Sequence, residues 1–123
     1  MLEKVFGSQI DDLQNALTRT TQRQALLTTN LANANVPGYK RKDIDFHVAL
    51  ESQFGGATKA ELDRQNAEAQ ALSDQTSIRS DGNNVDEERE MTGMAETDLH
   101  FQALTQMTSD FFSGLKNVIR EGK

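Results

Sequence analysis

Apolar side chains near the two ends of the chain recur in steps that alternate four and three, and no other feature restricts the fold as tightly. The first stretch passes Phe6, Ile10, Leu13, Leu17, Leu27, Leu31 and Ala34, with Thr20 and Gln24 in the positions between. The last passes Met94, Thr97, Phe101, Leu104, Thr108, Phe111, Leu115 and Val118. An average step of about 3.5 residues keeps one stripe turned toward a neighbouring helix, whereas a strand needs alternation at every second residue. The spacing predicts an all-α chain whose long N- and C-terminal helices pack side by side as a helical hairpin or coiled coil. Ser8 with Asp11 reads as a capping box for the first helix, and Asn84 with Glu87 as the N-cap region of the second. Asp86, Glu87, Glu88 and Glu90 place negative charge at the positive end of the second helix, and Lys116, Arg120 and Lys123 place positive charge at its other end. The polar seam residues Thr20, Gln24, Thr97 and Thr108 have two readings, as setters of helix register or as tolerated gaps, and the second is preferred.

The second seam is wider than one partner requires. Met107 flanks it on one side, and Phe112 and Ile119 on the other. In a two-stranded coil those flanks are usually charged. Core-forming material is scarce: 36% of the residues are hydrophobic, 6% aromatic, and there is no Trp. A lone hairpin of this composition is marginal, so the fold is expected to be completed by other molecules. The expected assembly surface is Phe6, Ile10, Leu13, Leu17, Leu27 and Leu31 from the first helix. From the second it is Phe101, Leu104, Met107, Phe111, Phe112, Leu115, Val118 and Ile119.

Between the helices the pattern is lost. Residues 47 to 83 are polar, with Gly55-Gly56 and an "SDGNN" turn signal at 80–84. A short helix from Lys59 to Leu72 fits the Ala, Glu, Leu and Gln there, and "TSIRS" reads as a short extended piece. The organisation expected is therefore an N-terminal helical segment over 1–35, a corner and polar connector over 36–83, and a C-terminal helical segment over 84–123.

The corner holds the only proline. Pro37 and Gly38 suit the central positions of a type II turn, Pro by its fixed φ and Gly by accepting a positive one. Val36, before the proline, is pushed out of the helical region and stops the first helix at or before Asn35. Asn30, Asn33 and Asn35 can bond groups left unpaired at a helix end.

The whole phrase "NLANANVPGYKRKDIDF" at 30–46 resembles the N-terminal signature of bacterial flagellar axial proteins: Asn30, an aliphatic residue, Ala32, Asn33, then Pro37, Gly38, Tyr39 and a basic residue. Val36 stands where Thr or Ser is more common in that signature. The chain is short, and "DIDF", "DGNNVDEEREM" and the tail "LHFQALTQMTSDFFSGLKNVI" narrow the resemblance to the FlgB family of proximal rod proteins. The resemblance implies a structural subunit of the proximal rod of the flagellar basal body, the shaft that crosses the periplasm and transmits motor torque. It implies contacts with copies of itself, other rod proteins, the membrane-ring protein and the rod-base adaptor. It also implies passage through the flagellar type III export apparatus. The N-terminus lacks the basic and apolar regions of a cleavable signal, which agrees with such a route. Lys40, Arg41 and Lys42 are expected to face the acidic helix start at Glu87, Glu88 and Glu90, in the same subunit or the next.

A net charge of −6 argues against nucleic acid as a partner, and the absence of cysteine removes disulfides and thiolate metal sites. His47 and His100 lack metal-ligand spacing, and the Asp43/Asp45 pair lies in a polar stretch that suits capping or solvent. No nucleophile elbow or phosphate loop is present. The chain reads as neither an enzyme nor a small-molecule binder, and no cofactor is expected. Two alternatives stay open: another short flagellar rod subunit, and a cytoplasmic helical adaptor or chaperone whose wide apolar face binds client helices.

Overall fold

Three helices make up the regular structure in the computed structural model, which describes residues 2–44, 59–74 and 79–122. Helix α1 spans Leu2–Ala32, α2 spans Lys59–Asp74 and α3 spans Glu87–Glu121. At about 1.5 Å per residue, α1 and α3 are rods of about 45 and 50 Å. They pack on each other along their length. Leu27 lies against Gly93 near the corner, and Leu13 and Ala16 lie against Leu104 farther along. Low numbers on one helix therefore meet high numbers on the other, and the pair is an antiparallel hairpin.

Its apolar core is narrow. Leu13, Ala16 and Leu104 form the centre, with Leu17 and Phe111 packed against them. Thr20 and Thr97 are buried in the same interface, and each Oγ1 bonds the carbonyl four residues earlier, of Ala16 and Gly93. Thr108 bonds the Leu104 carbonyl likewise. A β-branched hydroxyl can thus occupy a seam position because its own helix supplies the acceptor. Gly93 lies against Leu27 where the helices meet near the corner: a Cβ there would come into contact with Leu27 Cδ1 at 3.4 Å.

Several local expectations change. Helix α1 is already running at Leu2, so Ser8 lies inside it and not at its N-cap. The N-cap of α3 is Asp86, in an extended conformation, whose carboxylate accepts from the Glu88 and Arg89 N–H groups. Asn84 is occupied elsewhere: its Oδ1 accepts the Arg41 N–H at 2.7 Å. Helix α2 begins where composition places it and runs to Asp74, two residues beyond Leu72. The side chain of Phe6, residues 45–58 with Asp45, His47 and the Gly-Gly pair, residues 75–78 with the first three residues of the extended piece, and Lys123 lie outside the described residues.

Candidate functional site

The end of α1 is tied down by a segment almost fifty residues away. After Ala32 the chain tightens, with Asn33 N–H shared between the Thr29 and Asn30 carbonyls and Ala34 N–H bonding Leu31. The Asn33 side chain adds a 2.7 Å bond to the Thr29 carbonyl. The carbonyls of Asn33, Ala34 and Val36 then point at one group, the buried amide of Asn83, at 2.8–3.1 Å. Arg79 adds a second donor to the Ala34 carbonyl. Pro37 and Gly38 make the turn: Tyr39 N–H bonds the Val36 carbonyl, and Gly38 has φ 74°. Gly82 also has a positive φ, 82°, and the Cβ it lacks would sit 3.5 Å from the Gly38 Cα. Two left-handed glycines thus let two turns stack backbone on backbone, joined by Gly38 N–H to the Asp81 carbonyl and Asn84 N–H to that of Tyr39.

Beneath this corner lies a buried polar cluster. Asn30, wholly inside, uses its amide completely: Nδ2 donates to the Lys42 carbonyl and to Glu90 Oε2, and Oδ1 accepts from Tyr39 Oη and the Lys42 N–H. Glu90, also wholly inside, receives Arg41 Nε on its other oxygen at 2.6 Å. Arg41 reaches Asp43 with Nη2, and Asp43 receives Arg23, which extends to Glu96. Signs alternate along the chain Glu90, Arg41, Asp43, Arg23, Glu96. Gln70 of α2 closes the edge, donating to the Arg41 carbonyl and accepting from Asp43 N–H.

The electrostatics follow from this alternation. Burial alone lowers the Arg41 pKa, but its bond to Glu90, the charge of Glu90 and then Asp43 outweigh that and raise it. Arg23 behaves alike, with burial opposed by Asp43 and then Glu96. Both guanidinium groups are thereby held in their charged form. The Asn83 N–H, ahead of the neighbouring Arg79 charge, holds the Asp81 carboxyl below its ordinary value against a smaller opposing effect of burial.

Of the basic run, Arg41 alone enters the cluster through its side chain. Lys40 bonds the Gly82 carbonyl at 2.7 Å, and Lys42 contributes its backbone while its side chain is exposed. Of the acidic run, Glu90 is inside and Glu87 and Glu88 are exposed. Among the signature residues, Asn30, Asn33, Gly38 and Tyr39 make the bonds described, Pro37 fixes the turn, and Ala32 is exposed. The seam residues divide. Leu13, Leu27 and Leu104 are buried within the hairpin, and Ile10, Leu17, Leu31, Phe111 and Leu115 are half-buried. Phe101, Met107, Phe112, Val118 and Ile119 are exposed, the last two by 69% and 71%.

Sequence reasoning passed over Asn83, Arg79, Arg23, Glu96 and Gln70. The "SDGNN" turn signal was visible, but its bonds to the end of α1 span some fifty residues and leave no local trace. Arg23 and Glu96 read as ordinary polar faces until the corner folds across them. A cleft of about 490 Å³ opens beside the cluster, lined by Arg23, Arg41, Asp43, Arg89 and Glu96 among others. Its central charges, Arg23, Arg41, Asp43 and Glu96, already pair with one another, while Glu88 and Arg89 on its rim are exposed. No group of three or more His, Cys, Asp or Glu among the described residues is placed to hold a metal ion. The arrangement positions backbone rather than reacting groups.

Comparison with known proteins bears on what this corner serves. Residues 10–40, most of α1 with the turn that follows it, match the family model of the flagella basal body rod protein. The chain is 32% identical to flagellar basal body rod protein FlgB of Bacillus subtilis, over 97% of this chain and 98% of that one. It is 34% identical to FlgB of Salmonella typhimurium, over 89% and 91%. With FlgB of Yersinia ruckeri the identity is 31%, over 99% and 100%. Helices, corner and connector alike fall within these matches, and the chain belongs to the FlgB family of flagellar basal body rod proteins.

Proposed function

We propose that the protein is a structural subunit of the proximal rod, assembling through its terminal helices into the shaft that carries motor torque. The observation that carries this reading is the exposed apolar surface of α3, from Phe101 to Ile119, on a hairpin whose corner is locked by buried ion pairs. A rigid corner holds two long helices in fixed relation, and the uncovered side chains are available to neighbours in an assembly. Family membership supports the rod over the client-binding adaptor. The partners proposed are other copies of the chain, other rod proteins, the membrane-ring protein and the rod-base adaptor. The route proposed is the flagellar type III apparatus, with the rod lying in the periplasm. No catalytic step belongs to this role.

Electron microscopy of basal bodies from cells lacking the chain tests it. Membrane rings without a rod are the expected result, restored by the unaltered gene. Intact rods and filaments in those cells would refute the assignment.

A further inference from the structure

The two broad faces of the hairpin are unlike. On one, a groove of about 320 Å³ bordered by Ile10, Gln14, Leu17 and Phe112 runs into one of about 240 Å³ bordered by Gln24, Thr97 and Phe101, with Thr21 in both walls. Gln24 Oε1 is buried at this groove and accepts no hydrogen bond among the described residues. At about 100° per residue, Ala103, Met107, Gly114 and Val118 fall together on the side of α3 turned away from the groove. All four are exposed. A Cβ on Gly114 would meet nothing within 4 Å, so packing inside one chain does not call for a glycine that weakens the helix.

Toward the C-terminal end of α3 charge separates the same two sides, while nearer the corner Asp98 puts one acidic group in the groove wall. Lys116 and Arg120 lie on the groove side of α3, Asp110 and Glu121 on the other, all exposed. None takes part in an ion pair among the described residues. Opposite signs at one level on opposite sides of a helix complement each other when copies stack in parallel.

We propose that the groove receives the Ala103–Val118 ridge of a second copy of this chain, lying parallel, with Lys116 and Arg120 of one beside Asp110 and Glu121 of the next. Such a contact joins two different surfaces, so it does not close on itself and can repeat along an assembly. The inference rests on the rod reading and specifies which surfaces meet there.

The chain has no cysteine, which makes cross-linking clean. Gln14→Cys is combined in turn with Ala103→Cys, Met107→Cys and Gly114→Cys, each expressed beside the unaltered chain, and purified basal bodies are oxidised. Within one copy the paired positions lie on opposite faces, beyond disulfide reach. At least one double variant is expected to give dimers and trimers of this chain, and every single variant monomer alone. Basal bodies that contain the double variants without such products would overturn the proposal. So would dimers from a single variant, which mean a symmetric contact, or products joining a different rod protein. Absence of the variants from basal bodies that hold the unaltered chain would instead point to failed incorporation, and overturns the proposal too; the rod reading itself fails only if cells lacking the chain keep their rods. Gly114→Leu gives a second readout: helicity retained and swimming lost is expected, and normal swimming overturns the proposal.

Discussion

Glu90 is the residue on which most of the corner depends. It is wholly buried, and it satisfies both Arg41 and Asn30. Removing one partner of a buried ion pair costs about 3–5 kcal/mol, because the charge left behind has neither water nor a counterion. Glu90→Gln is expected to lose that much in urea denaturation followed by circular dichroism. Arg41→Met added to it should recover at least half, since the stranded charge is then gone. Asp81 gives a pH test with a definite sign. Its pKa is depressed in the fold, so its stabilisation is present above the ordinary carboxylate value and fades as pH falls through the depressed one. An NMR titration should find the Asp81 carboxyl below its unfolded value, with Arg79→Ala moving it part of the way back toward the ordinary range. At this scale the sequence was half legible. The basic run and the acidic helix start announce a charge pairing, but only burial distinguishes Arg41 and Glu90 from Lys42 and Glu88 beside them. Asn30 was visible as a helix-end residue; that it also reads Glu90 depends on where α3 lies.

The elements owe their ends to each other. Helix α1 stops where pre-proline sterics and the Pro-Gly turn require, and this was readable because both act within a few residues. The partner of that stop was not readable. Asn83 gathers three carbonyls from the end of α1 while its own Oδ1 accepts the Val85 N–H just before α3. Asn83→Ala leaves carbonyls unpaired at about 1–3 kcal/mol, and hydrogen exchange should speed up at the corner and the start of α3 together. The same coupling explains why Asn84 does not cap α3: its side chain is committed to Arg41, and Asp86 takes the cap. Gly38 and Gly82 carry the stacking, and alanine at either adds about 1–2 kcal/mol of left-handed strain. Thermal melts should rank Gly38→Asn above Gly38→Ala, since Asn tolerates that conformation better. Heptad spacing, by contrast, placed α1 and α3 correctly, because a period is repeated along the element and survives single exceptions such as Thr20 and Thr97.

For the whole molecule, stability and assembly draw on different side chains of the same helices. The seam was read from sequence as one surface, and the structure divides it, because an antiparallel partner covers only the stripe directly facing it. Leu104 belongs to the inner set and is 5% exposed; Phe112, at 52%, and Ile119 belong to the outer set. Leu104→Ala opens a cavity and is expected to destabilise the hairpin by about 2–5 kcal/mol. Val118→Ser with Ile119→Ser removes side chains that are 69% and 71% exposed and leaves no cavity between α1 and α3, so the isolated chain should keep its helicity at a given concentration. Cells carrying that double variant should nevertheless fail to swim, and their basal bodies should lack the variant chain. If they swim normally, the outer set is not what neighbours hold. If helicity falls as far as in Leu104→Ala, the two sets are not separable, and the hairpin depends on both for its own fold. The distinction follows from geometry: two helices can bury one stripe each, and α3 carries apolar side chains over a wider arc than α1 can reach.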